Sequence, residues 1–214
     1  MKKIIQLGLV FMLIFTGGCG MSKEEENGKT DASTLPETEA FKDEFTREFM
    51  ASSDEVEEGY YTFESETKGY TMLFPENAKI SSGDYEQIED SYEALSFSEN
   101  LNEENITYFI SINFEESSYA ENISLNTKLL SSVSGYDGEY SHYELNDKSM
   151  YFGEKQNNDK GSYSYIAYIK SNSTDKGIRF IYNGRCLDSE QPCELPSSKI
   201  KGEIKKMIDS VKFN

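Results

Sequence analysis

Short runs that alternate apolar and polar positions dominate the chain from Tyr60 onward, which predicts strands rather than helices. "YYTFES" and "YTMLF" flank Lys68-Gly69 and form a hairpin, and Pro75 ends the second strand. "YEALSFS" and "ITYFISINF" form a second hairpin around the polar turn "ENLNEEN". In the latter strand Ile106, Tyr108, Ile110, Ile112 and Phe114 share one face, the cleanest alternation in the sequence. The period then lengthens. A helix is predicted within Tyr119 to Val133, with Ile123, Leu129, Leu130 and Val133 as its inner stripe and Gly135 as its stop. Four further strands are predicted around Tyr140–Leu145, Ser149–Lys155, Tyr163–Lys170 and Ile178–Asn183. Their connections, "NDK", "NNDKG" and "NSTDKG", have ordinary turn chemistry. Tyr163 to Lys170 is apolar on both faces, which makes it a central strand covered twice. The second face, with Phe109, Tyr168 and Ile181, needs cover from a helix, from the segment around Phe41 or from a partner. "SSKIKGEIKKMIDSVKF" closes the chain as a helix with Ile200, Ile204, Met207, Ile208 and Val211 on one face and Ser197 or Ser198 as its cap.

The first part of the chain reads differently. Lys2 and Lys3 precede a run from Ile4 to Phe15 that is about a dozen residues long. A bilayer core of ~30 Å needs roughly 20 residues of helix, so this run is a secretory signal rather than a span. Residues 1–18 are that signal, and residues 19–37 are a charged tether almost free of apolar side chains, expected to be disordered. Residues 38–58 follow as an amphipathic helical segment. Phe41, Phe45 and Phe49 recur every fourth residue in a helix predicted from Thr38 to Met50, with Thr38 as N-cap. The three rings either dock on the chain's own domain or meet a partner. Residues 59–214 form the folded domain. Adjacent strands in runs, then helices, give an α+β fold: an antiparallel sheet of about seven to eight strands with helices packed on it.

Thr16, Gly17 and Gly18 immediately precede Cys19. This resembles the lipobox of bacterial lipoproteins, although Thr16 stands where that box usually has leucine. The resemblance implies cleavage before Cys19 and a diacylglycerol on its thiol; the alternative is an ordinary secreted protein with a coincidental cysteine. Two acyl chains hold a protein at a membrane where one is marginal. "GYTMLFPENAKI" and "IKKMIDSVKFN" are similar to the opening strand and closing helix of PsbP-like and DcrB-like domains. That likeness, loose and hydrophobic, spans Tyr60 to Asn214. It implies an α/β/α sandwich and an accessory or assembly role, with no catalytic motif to carry over.

Charge narrows the partners. The chain has 21 Lys+Arg against 39 Asp+Glu. Cleavage removes Lys2 and Lys3 and no acid, leaving 19 against 39, a net charge of −20. Such a chain has no electrostatic route to nucleic acid, and it lacks the D-x-[DN]-x-[DN]-G calcium loop. Cys186 and Cys193 in "RCLDSEQPC" are expected to form a disulfide outside the cytoplasm, worth ~2.5 kcal/mol on the chain-entropy model. A metal half-site is the alternative, but His142 is the only histidine. His142 and Glu144 share a strand face and would be the starting point of a cell-envelope hydrolase. No G-x-S-x-G, H-E-x-x-H or P-loop pattern occurs. No catalytic, cofactor or metal residue is assigned. The expectation is a non-enzymatic accessory, binding or assembly module, anchored through Cys19 on the extracytoplasmic face of a Gram-positive-type cell membrane. An unidentified envelope protein is a candidate partner, and the remaining alternative is a small-ligand carrier.

Overall fold

Alternation builds two antiparallel sheets. The computed structural model describes residues 35–157 and 161–214, and Leu35–Asn214 form a single unit. The signal segment, Cys19 and most of the tether lie outside the described residues. The small sheet comprises β1 (Tyr60–Glu64), β2 (Tyr70–Pro75) and β11 (Lys212–Phe213) in the order β1-β2-β11. The large sheet has eight strands among the described residues. These are β3 (Lys79–Ile80), β4 (Glu86–Ile88), β5 (Tyr92–Leu101), β6 (Ile106–Glu116), β7 (Ser141–Leu145), β8 (Lys148–Asn157), β9 (Ser162–Ser171) and β10 (Lys176–Cys186). Their order is β3-β5-β6-β10-β9-β8-β7, with β4 also on β5. The meander β7 to β10 folds back so that β10 pairs with β6, Ile110 opposite Tyr182 and Ile112 opposite Phe180.

That register sets the main core. Ile106, Tyr108, Ile110, Ile112 and Phe114 are all buried, as their alternation requires. Above them lie the small sheet and α4 (Ser198–Ser210), which buries Ile200, Ile204, Met207 and Ile208, while Val211 at its C-cap is buried with them. Ser197 caps α4 by accepting from the Ile200 amide at 3.2 Å. The opposite face of the sheet carries α3 (Ile123–Ser134), whose Leu130 packs with Ile166, Tyr168 and Ile181. β9, between β10 and β8, is therefore covered on both sides. The layers are helix, sheet, and helix with small sheet, an α+β sandwich.

Three expectations change. The helix from Thr38 to Met50 is two short ones, α1 (Glu39–Lys42) and α2 (Glu44–Glu48). Asp43 separates them in extended conformation, and its carboxylate accepts from the Thr46 amide at 3.0 Å and hydroxyl at 2.7 Å. An aspartate offers the backbone a cap in place of a helical turn, and here the cap wins. Thr38 gives no side-chain cap. Phe41 and Phe49 nonetheless bury themselves in the protein's own core, Phe49 stacking on Phe63 at 5.6 Å. Beyond Met50, which bridges to Phe63, residues 51–58 are not helical.

The inner stripe of α3 is also different. Leu129 and Val133 are 41% and 77% exposed, whereas Asn126 and Leu130 are buried. The reason is polar. Asn126 donates to the Tyr119 carbonyl at 2.9 Å and accepts from Arg179 at 2.7 Å, and Arg179 also holds Glu115 at 3.2 Å. Turning Leu129 inward would strand those groups without partners, a cost of ~1–3 kcal/mol each. Finally, the turn "ENLNEEN" is shorter than expected, because β5 runs on through Glu99 to Leu101. β3, β4 and β11, three residues or fewer, carry no readable period.

Candidate functional site

β5 carries an inward-facing set at every second residue: Glu93, Leu95, Phe97, Glu99 and Leu101. Carboxylates at inward positions need an explanation, since burying them without partners is costly. Glu99 stands opposite Tyr108 on β6, whose hydroxyl donates to it. Tyr108 stands opposite Gly184 on β10, and next along that inward face is Tyr182. A Cβ on Gly184 would come within 2.7 Å of the Tyr182 hydroxyl, so only glycine leaves that ring room to lie over the strand. The Tyr108 and Tyr182 rings pack with centroids 5.3 Å apart.

These side chains floor a groove of about 540 Å³. One wall is α4. Its apolar face is pinned to the sheet, which turns Lys199, Glu203 and Lys206 toward the opening. The other wall is the turn at Glu58–Tyr60 with Pro75–Asn77 at the end of β2. An open extension of about 810 Å³ shares Asn77, Glu99, Leu101 and Lys199 and runs toward Lys79 and Glu104.

The electrostatics are acidic and strained. Burial holds the Glu99 carboxyl above its ordinary range, against the hydrogen bond from Tyr108 that pulls it down. Burial likewise raises Glu203, and Lys199 offsets this in part. The Tyr182 phenol is pushed well above its usual value by burial and by Glu203 and Glu99. Its hydroxyl is buried and makes no hydrogen bond among the described residues. The two lysines are already engaged: Lys199 with Glu104, Lys206 with Glu57 at 2.8 Å and over the Tyr60 ring at 4.9 Å.

Cys186 and Cys193 are bonded, with their Cα atoms 5.9 Å apart. Asn105, in the left-handed region at φ 56° in the β5–β6 turn, clamps the loop between them. It donates to the Asp188 carbonyl at 2.8 Å and accepts from the Asp188 amide at 2.9 Å. This loop leads into α4, so it helps to set one wall of the groove.

His142 lies elsewhere, half-exposed on β7. Its Nε2 is 2.8 Å from Glu144 and its ring stacks on Tyr151 at 4.6 Å. Asn172 and Ser149 hydrogen-bond the Glu144 carboxylate and hold its pKa low, which suits a structural anion rather than a general base. Among the described residues no three His, Cys, Asp or Glu side chains are grouped to hold a metal. Glu99 and Glu203 were not legible as site residues. The sequence puts Glu99 in the turn "ENLNEEN", yet continuing the β5 alternation two residues past Phe97 places it inward.

Over the entire chain, the sequence is 32% identical to "Putative lipoprotein YvcA" of Bacillus subtilis (strain 168), covering 97% of that protein. A crystal structure from Bacteroides thetaiotaomicron superposes with a TM-score of 0.41 and 12% identity over 72% of this chain, which spans 48% of that one. The profile of the family YvcA_Mog1p, described as "Putative lipoprotein YvcA", matches residues 36–212, which is nearly all of the folded unit. The chain belongs to that family.

Proposed function

We propose that the chain is a lipid-anchored, extracytoplasmic binding module that works without chemical turnover, held beside the membrane by acyl chains on Cys19. The observation that carries the binding half is the Tyr182 hydroxyl, buried without a partner beneath a groove walled by Glu99 and Glu203. A folded protein tolerates few such groups, and a bound molecule is one thing that satisfies them. The anchoring half rests on the run that ends at Cys19 and on a relative named a lipoprotein that matches from end to end. Among the described residues no helix is long and apolar enough to cross a membrane. Each buried methylene of an acyl chain contributes ~0.8 kcal/mol, enough for two chains to hold the protein stably.

Alkyne-palmitate labelling in intact cells tests the anchor. The wild type is expected to take up label, to stay with membranes and to be digested by protease added to protoplasts. A Cys19→Ala variant that still carries label would refute attachment at that thiol. Binding is tested by a thermal-shift screen of small polar molecules. Hits are expected for the wild type and not for a Glu99→Ala, Glu203→Ala double variant; hits that persist in that variant place binding elsewhere.

A further inference from the structure

Building on the binding reading above, we propose that the groove over Tyr182 takes a small organic ammonium: a polyamine, or another amine with several N–H donors. The groove's unmet needs are for a donor that is also a cation. The Tyr182 hydroxyl is free to accept, and Tyr182 is only 1% exposed. Glu203 makes no hydrogen bond or ion pair among the described residues, although it faces the same space. The Glu99 carboxylate receives one hydrogen bond, from Tyr108, and keeps further lone pairs. Four glutamates, at positions 58, 76, 99 and 203, line the groove against two lysines. Both lysines have carboxylate partners outside it, Glu104 and Glu57. An anionic ligand would therefore meet carboxylates that the two lysines offset only in part.

The geometry also distinguishes an extended cation from a compact one. No three acidic or other metal-ligating groups converge here. A metal ion needs converging oxygens at short, fixed distances. An alkylammonium does not; it can donate to carboxyls spread along a groove while its methylenes lie on the half-buried Tyr60 and Leu101. The protein supplies its own precedent, since the Lys206 ammonium already sits 4.9 Å over the Tyr60 ring at the rim. Tyrosine faces attract cations in this way.

Isothermal titration of the full-length lipidated protein in neutral detergent tests the proposal, with spermidine, Mg²⁺ alone and the neutral sugar maltotriose as probes. Saturable spermidine binding is expected, weakened on the order of tenfold by Glu203→Gln, which removes one charge-assisted contact. Tyr182→Phe is expected to weaken it severalfold while leaving the melting temperature no lower than that of the wild type, because the substitution deletes a stranded hydroxyl. Glu86→Gln, on exposed β4 away from the groove, is the control and is expected to leave affinity unchanged. Equal losses in Glu86→Gln and Glu203→Gln would mean diffuse adsorption to an acidic surface and would overturn the site. Maltotriose binding without spermidine binding would overturn the ammonium class yet keep the binding module. Saturation by none of the three would overturn the proposal, while the screen above decides separately whether the groove binds anything.

Discussion

At the scale of single residues, the inward glutamates of β5 are the most informative. Glu93 is fully buried. One of its oxygens accepts from the Glu66 amide at 2.9 Å and from the Tyr85 hydroxyl at 3.3 Å; the other is buried without a partner. The Tyr70 hydroxyl is buried and unpartnered too, and burial first, then the Glu93 charge, raises its pKa. Burial holds the Glu93 carboxyl above the ordinary glutamate value of 4.5. The folded state therefore binds this proton more tightly than the unfolded state. The resulting stabilisation is complete below the unfolded-state pKa and fades as pH rises through the folded-state one. Glu93→Gln cannot ionise, and its amide offers a donor to the unmet tyrosine. It is expected to raise unfolding free energy at pH 7 by about 1–3 kcal/mol. The gain should vanish near pH 4, roughly the unfolded-chain value. Urea unfolding at both pH values measures this, and equal effects at the two would show that ionisation is irrelevant.

At the scale of elements, polar groups decide where apolar counting stops. Apolar periodicity puts Leu129 and Val133 inward beside Leu130, because it is the only signal a lone helix offers. Asn126 and its bond to Arg179 rotate the helix instead. Val133→Ser should therefore stay within about 0.5 kcal/mol of the wild type, while Leu130→Ala should cost about 2–5 kcal/mol. Equilibrium denaturation of the pair distinguishes the two faces. The α1–α2 break follows the same logic. Asp43→Ala removes the cap on α2 and is expected to lose ~1 kcal/mol. Thr46, which Asp43 holds, also accepts the Ile80 amide at 2.9 Å, so the loss should extend to β3. Amide exchange at Ile80 reports that coupling: faster exchange in Asp43→Ala is expected, and an unchanged rate would uncouple the cap from β3. α4 was easier to read, with a long apolar face and few inward polar groups to contradict it.

At the scale of the whole molecule, acidity and covalent links act together. The net charge of −18 disfavours the compact state through self-repulsion and keeps the surface away from anionic headgroups. Salt screens such repulsion over a Debye length of ~8 Å at physiological strength. The melting temperature is therefore expected to rise between low and physiological salt, as a calorimetric series would measure; a fall would mean that favourable ion pairs outweigh the repulsion. Sequence alone determined the order of the eight longer strands along the chain, the α+β class, the buried faces of β6 and α4, and which two cysteines could bridge. Those features follow from local periodicity and spacing, which any window of residues displays. Only the tertiary structure decided that α1 and α2 dock on their own domain, which face α3 buries, and that Glu99, Glu203, Tyr108 and Tyr182 meet in one groove. Those four residues come from β5, α4, β6 and β10, far apart in the chain. Their meeting depends on β10 returning to pair with β6, and strand pairing at that range leaves no trace in local pattern.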